Sequence, residues 1–413
     1  MGYQQGLSGL AGASNALDVI GNNIANANTV GFKSSTAQFS DMYANSVATS
    51  VNTQIGIGTT LASVQQQFGQ GTINTTNASL DVAINGNGFF QMSNNGVTTY
   101  SRDGTFQRDK NGFIVNSAGA NLMGYAADKS GVISTAQTVP LQAPTTNIAP
   151  TATTKISAQF NLNSQDTPPT KTPFDPTDTT TYNYSTSIQV YDSLGGSQAV
   201  NMYFVKSAAG TWEAYAGVQG GTATDLGTVT FNSSGAIQGT TTGTPAAPTA
   251  SLGQFQFTVP NTDGSATPQQ LTLDLTGTTQ YGGKDGVNNL AQDGYASGTL
   301  TTFSIGADGK LTGNYSNGQT AVLGQIVLAN FNNPNGLVNL GGNQYAESSA
   351  SGVPQISSPG STNHGSLQGS ALENSNVDLT SQLVNLITAQ RNYQANAQTI
   401  KTQQTVDQTL INL

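Results

Sequence analysis

Residues 376–413 read NVDLTSQLVNLITAQRNYQANAQTIKTQQTVDQTLINL, and the reading of that stretch decides the fold. Leu379, Leu383, Leu386, Gln390, Tyr393, Ala397, Ile400, Gln404 and Ile411 follow one another at heptad spacing, which places them on one face of a helix. Neither Pro nor Gly interrupts the run, so at 1.5 Å per residue the helix can extend about 50 Å. Ser375 or Asn376 is placed to cap its start, and Asp378 suits the positive end of a helix dipole. The face away from the stripe is Gln, Asn and Thr, and the charges from Val377 onward are Asp378, Arg391, Lys401 and Asp407. A solvated helix normally carries Glu and Lys on its outer face. This one is built to be surrounded by other helices.

The opposite end of the chain answers it. Leu7, Leu10, Ser14, Leu17, Gly21 and Ile24 repeat the three-four spacing, and Asp18 is the one charged side chain before Lys33. Gly9, Ala11, Gly12, Ala13 and Ala16 leave room for another helix to approach closely. So much Gly and Asn makes a poor helix by propensity, and packing must supply its stability. The pattern fits an intramolecular two-helix stem, and it equally fits a helix pair that packs against copies from other subunits. Residues 21–34, GNNIANANTVGFKS, then fray the helix, because Asn22, Asn23, Asn26 and Asn28 compete for its hydrogen bonds and Gly31 permits a left-handed turn. An irregular connector is expected over 31–70, with Phe32, Phe39, Met42 and Tyr43 as its apolar anchors.

Composition excludes whole classes of partner. Lys and Arg number 12 against 21 Asp and Glu, a net charge of −9, which argues against nucleic acid and anionic membrane. Charged residues are 8% of the 413, far below the roughly 25% of ordinary globular proteins. Cysteine is absent, so neither a disulfide framework nor a thiolate metal site is available. The N-terminus has no basic segment followed by an apolar one, so no cleaved secretory leader is expected. Membrane insertion is not expected either, since no apolar run approaches the length of a span.

From Gly71 the apolar period changes to two. Leu80, Val82 and Ile84 alternate, and Asn85-Gly86-Asn87-Gly88 offers a turn before Phe89-Phe90. A second hairpin is expected from Tyr100–Phe106 through the turn Asp109–Gly112 to Phe113–Val115. Pro140, Pro144 and Pro150 mark a linker. Beyond it Val200, Met202 and Phe204, then Phe255, Phe257 and Val259, then Leu271, Leu273 and Leu275 alternate as strands with one wet face do. Trp212 and Tyr215 are assigned to that core. The first β pattern resumes at Phe303, Ile305, the turn Asp308-Gly309 and the apolar run Val322–Phe331. The expected fold is mainly β with α-helical termini. Long N- and C-terminal helices form a coiled-coil-like domain, the terminal helical assembly domain of residues 1–30 and 366–413. An inner discontinuous β domain (71–147 and 293–365) receives an outer inserted β domain (148–292).

Chemistry is sparse. His364 sits in a Ser/Gly loop and reads as a solvated side chain, and one His without Cys gives no zinc spacing. Gly56-Ile57-Gly58 lacks the third glycine of a dinucleotide loop, and neither a phosphate-binding GxxxxGK[ST] nor a GxSxG elbow occurs. Asp175 with Asp178, and Asp103 with Asp109, read as turn residues, although paired carboxylates could serve a glycosidase. No catalytic residue, cofactor or metal is expected.

One resemblance is specific. Leu17-Asp18-Val19-Ile20-Gly21-Asn22-Asn23-Ile24-Ala25-Asn26, with Thr29-Val30-Gly31-Phe32-Lys33, is similar to the N-terminal signature of flagellar rod and hook proteins. Ser375-Asn376-Val377-Asp378-Leu379, continuing to Gln390-Arg391-Asn392-Tyr393-Gln394-Ala395-Asn396-Ala397, resembles their C-terminal signature. Chain length and Gly324–Phe331 favour the hook members over the shorter rod members. The resemblance implies a homopolymer that forms a curved, bendable tube passing torque from rod to filament. It also implies a rod protein at the proximal end, a hook cap during assembly, a hook–filament junction protein at the distal end, and extracellular delivery by the flagellar type III export apparatus. The self-assembly residues expected on this basis are Leu7, Leu10, Leu17, Ile24, Leu379, Leu383, Leu386, Tyr393, Ala397 and Ile400. A distal rod or hook-associated junction protein is the nearest rival, and a secreted β-rich adhesin or carbohydrate-active enzyme a remoter one.

Overall fold

The computed structural model describes residues 2–42, 56–128, 130–144, 146–242, 252–261 and 263–411. The fold is mostly β, with helices at the two ends of the chain: α1 (Gly2–Ala25) and α2 (Leu379–Ile411). The chain separates into two compact units, one of residues 1–145, 301–314 and 320–413, the other of 146–300 and 315–319.

In the first unit a large sheet runs in the order Leu300–Ile305, Lys310–Tyr315, Thr320–Ile326, Asn121–Ala126, Phe89–Asn94, Val97–Ser101, Gln344–Ala346, Val338–Gly341. Val82, Ile84, Phe90, Met92, Ile114, Leu122, Leu311, Ile326 and Leu328 fill its main core. A smaller cluster of Phe89, Tyr100, Phe331 and Tyr345 packs edge to face, with Tyr100 and Phe331 centroids 4.8 Å apart, the arrangement ring quadrupoles favour. The turn at Asn85–Gly88 does not make a hairpin. Val82–Asn85 pairs instead with Ser366–Gly369, and the hairpin falls one turn later, Phe89–Asn94 against Val97–Ser101. Asn95 and Gly96 both have positive φ there (50° and 88°), the two-residue turn that an Asn-Gly pair supports. The expected turn at Asp109 is present, with the carboxylate Oδ1 accepting from the Asn111 and Phe113 amides at 2.9 and 2.7 Å.

The described parts of the 31–70 connector, 31–42 and 56–70, hold regular structure. Ser35–Met42 and Gly58–Gln66 form an antiparallel hairpin against α1. Phe39 and Met42 remain about 40% exposed, so they do not anchor it as expected, and Tyr43 lies outside the described residues.

The second unit holds two five-stranded sheets. One is an antiparallel meander, Tyr184–Tyr191 through Ile237–Thr242. The other is built around Lys155–Asn163. Their inner faces share one core that includes Phe160, Met202, Phe204, Trp212, Phe255, Phe257, Leu271 and Leu273. Tyr215 is not part of it. An odd spacing from Trp212 turns it to the other face of its strand, where its ring stacks on Phe174 at 4.1 Å. The chain enters and leaves this unit side by side, Ile148 pairing with Gly298 and Thr151 with Tyr295. The turn reading of Asp175 and Asp178 agrees with the geometry, since each Oδ1 accepts from a Thr amide two residues on.

Candidate assembly site

The two signatures meet in the first unit. After Ser366–Gly369 pairs with Val82–Asn85, Ala371–Glu373 pairs with Ile73–Thr75. This return path brings Glu373 back to the residues that follow α1. Residues 366–378, assigned by sequence to the terminal helical domain, thus belong to this β junction, and the helix begins at Leu379. Its cap is Asp378, not Ser375 or Asn376: Asp378 Oδ1 accepts from the Thr380 and Ser381 amides at 2.9 and 3.2 Å. Asn376 does something else. Its Oδ1 accepts from the Ser34 amide at 2.8 Å, and its Nδ2 donates to the Gln67 and Gly69 carbonyls at 2.7 and 3.1 Å.

Below it lies a buried ion triad. Lys33 Nζ is 2.7 Å from Glu373 Oε1, and Arg102 Nη1 is 3.2 Å from Glu373 Oε2. Lys33 and Glu373 are fully buried, and Arg102 is 3% exposed. Glu373 Oε1 also accepts from the Gly71 amide at 2.8 Å, and the Lys33 ammonium donates to the Gly69 carbonyl at the same distance. Burial pulls the Lys33 ammonium below its ordinary value, and the Arg102 charge adds to that effect while Glu373 opposes it. Burial likewise lowers Arg102 against the pull of Glu373. Gly31 closes the same knot: its φ is +69°, its amide donates to the Glu373 carbonyl at 2.8 Å, and a Cβ would stand 2.7 Å from the Asp103 nitrogen. Any side chain there would be both strained and obstructed.

The Asn residues of the N-terminal signature are structural. Asn23 is buried and clasps Ser35 through both backbone groups, at 2.7 and 2.8 Å, and reaches Gln382 of α2 at 3.4 Å. Asn26 Nδ2 donates to the Asn22 carbonyl at 2.9 Å, and Thr29 Oγ1 donates to Asn26 Oδ1 at 3.1 Å. Phe32 is half-buried, and its carbonyl accepts from the Asn376 amide at 3.4 Å. Sequence reading missed Arg102 and Glu373 altogether. The available signal was the rarity of charge itself.

The helices run antiparallel. A Cβ on Gly6 would meet Ile400 at 2.8 Å, one on Gly9 would meet Asn396 at 2.8 Å, and Asn23 bonds Gln382. The face of α2 turned inward is therefore Gln382, Leu386, Ala389, Asn396, Ala397, Ile400 and Gln403. It lies roughly 60° around the helix from the stripe read in the sequence. Leu386, Ala397 and Ile400 are half-buried, as are Leu10, Leu17 and Ile24. Leu379, Leu383 and Leu7 are about half exposed and Tyr393 is 38% exposed; Val384 and Ile387 extend this open apolar row. Gln390 and Arg391 are exposed, and the side chain of Ile411 is outside the described residues. The inward face keeps Leu386, Ala397 and Ile400 of that stripe, and Ile400 and Asn396 are the residues that stand against Gly6 and Gly9 of α1.

Four family models match separate parts of the chain: "Flagella basal body rod protein" at 4–33, "Flagellar hook protein FlgE/F/G D1 domain" at 83–159, "Flagellar basal body protein FlaE D2 domain" at 161–295, and "Flagellar basal body rod FlgEFG protein C-terminal" at 368–413. The flagellar hook protein FlgE of Salmonella typhimurium is 43% identical, with all of both chains covered. The chain belongs to the flagellar hook protein family. The hook protein FlgE of Escherichia coli K12 is 41% identical over the full length of both chains, and that of Treponema pallidum is 33% identical over 99% of this chain and 98% of the relative. The crystal structure of the Helicobacter pylori hook protein FlgE2 shares the fold, with a TM-score of 0.50 at 16% identity over 73% of this chain and 99% of that one. Among the described residues no cluster of three or more His, Cys, Asp or Glu is placed to hold a metal, and no helix is long and apolar enough to cross a membrane.

Proposed function

We propose that this chain is a structural subunit of the bacterial flagellar hook and polymerises through its terminal helices into a bendable tube. The observation that carries the mechanism is the open apolar row on α2. Leu379, Leu383, Val384 and Ile387 stand 46–59% exposed on a helix whose inward face is already packed against α1. Half-exposed Leu and Ile in a row are unfavourable in water and gain about 25 cal/mol per Å² when covered. A heterologous contact of this kind, repeated along a helical lattice, extends a filament without closing a ring.

The buried triad fits the same reading. It fixes where α1 ends and α2 begins, so the helix pair is presented as one unit by the β framework. The neutral Gln, Asn and Thr of α2 suit a wall past which unfolded subunits travel, since they offer no strong charge trap. Export through the flagellar type III apparatus, an extracellular position, and end contacts with a rod protein, a cap and a hook–filament junction protein follow from family membership as expectations. A distal rod subunit is the weaker reading, because the relatives matched over their full length are hook proteins.

The decisive experiment removes residues 2–25 and 379–413 while keeping 366–378, whose strands the β unit needs. The remaining chain should be a folded monomer by sedimentation and circular dichroism. Filaments from it would overturn the proposal.

A further inference from the structure

The buried triad carries two cations and one anion. Among the described residues Glu373 is the only carboxylate paired with Lys33 or Arg102, which leaves one positive charge uncompensated. The Arg102 guanidinium spends Nη1 on Glu373 and Nη2 on the Gly86 carbonyl at 2.8 Å. Its buried Nε has no hydrogen-bond partner. An unpaired donor on a desolvated cation is costly unless something completes it. Arg102 also lies 5.5 Å over the Phe89 ring, and both residues line one pocket of about 640 Å³. Asn87, Asn332, Asn363 and His364 line it as well. His364 is held in place, its Nε2 donating to the Gln355 carbonyl at 2.9 Å, so it is not the freely solvated side chain expected from sequence.

We infer that this pocket binds a carboxylate, held by the asparagine amides of the rim and drawn by the buried Arg102 charge behind them. A cation buried behind a concave wall raises the local concentration of anions, and side-chain amides supply donors that ask for no further charge. A single excess positive charge matches a monoanion better than doubly charged phosphate. Two sources share this chemistry: a free carboxylate in the medium, and an Asp or Glu side chain of a second copy. The chain can supply the latter, having 21 acidic residues against 12 basic ones.

The test uses the full-length chain as a monomer, with sodium acetate compared to sodium chloride at equal ionic strength. Acetate should raise the unfolding temperature saturably, and ¹³C-acetate should show exchange broadening on addition of protein. Asn363→Asp puts a carboxylate on the exposed rim without touching the triad, and should weaken acetate binding about tenfold or more through like-charge repulsion. In assembled polymer, broadening that persists identifies a free carboxylate as the ligand. Broadening that disappears identifies an acidic side chain of the neighbouring copy, which displaces acetate. Absence of any effect beyond chloride in the wild-type monomer overturns the inference, as does an equal effect on Asn363→Asp. The monomer measurement needs no polymerisation, so its failure is separate from failure of the assembly reading.

Discussion

Replacing Glu373 by Gln tests whether the triad holds the terminal signatures together. The substitution preserves shape. Its amide oxygen can still accept from Lys33 and the Gly71 amide, which stand 2.7 and 2.8 Å from Oε1. Its NH₂ group then faces the Arg102 Nη1 that now lies 3.2 Å from Oε2, donor against donor. Two cations, 0% and 3% exposed, are left without an anion. Removing one partner of a buried pair costs about 3–5 kcal/mol, and a doubly engaged carboxylate belongs at the upper end. That is a large fraction of the ~5–15 kcal/mol that stabilises a typical domain. Hydrogen exchange at the Gly31 and Gly71 amides, both bonded to Glu373, should accelerate about a thousandfold, the equivalent of about 4 kcal/mol.

The pH dependence has a definite sign. The folded Lys33 value is below its ordinary 10.5, so the unfolded chain binds more protons between the two values and the Lys33 contribution to stability rises with pH across that window. Loss of the Glu373 charge lowers the folded value further and widens the window downward. The variant should therefore recover part of its loss as pH rises toward the ordinary Lys33 value of 10.5. A loss under about 1 kcal/mol at neutral pH, or one that grows toward alkaline pH, would refute the reasoning.

Ile387→Asp, on the open side of α2, should leave the isolated chain within about 0.5 kcal/mol of wild type and abolish polymerisation; sedimentation that still shows polymer would reassign the assembling face. Gly6→Ala brings a Cβ to 2.8 Å from Ile400, and the overpacking cost of about 1–3 kcal/mol should exceed the helix-propensity gain of about 1, read as faster amide exchange in both helices. In the second unit, burial would raise the Asp274 carboxyl, but Lys155 at 2.8 Å and the Thr276 hydroxyl and amide bring it down to about 2. Its contribution is present above the ordinary 3.8 and is lost as pH falls toward 2, so Asp274→Asn should flatten the acid limb of that unit's unfolding. Excising 149–297 joins Ile148 to Gly298, whose backbone groups already bond at 2.9 Å, and the first unit should keep its wild-type exchange pattern.

The sequence by itself determined the elements whose periodicity is long and unbroken. The 33-residue α2, the glycine-and-alanine α1 and the alternating strands of the second unit were legible, because each pattern follows from how successive side chains are directed along one element. Turn chemistry was legible at Asp109, Asp175 and Asp178, where a carboxylate bonds the backbone within a few residues. Tertiary structure decided what depends on partners distant in the chain. Val82–Asn85 chose Ser366–Gly369 over its neighbour, and Lys33 found Glu373 across 340 positions; nothing local encodes either pairing. The inward face of α2 was decided in the same way. A hydrophobic stripe ranks Leu above Ala and Asn, but the glycines of α1 select the residue that fits the space they leave. Leu386 and Ile400 turn inward with Asn396, while Leu379, Leu383, Val384 and Ile387 stay on the outside of the helix.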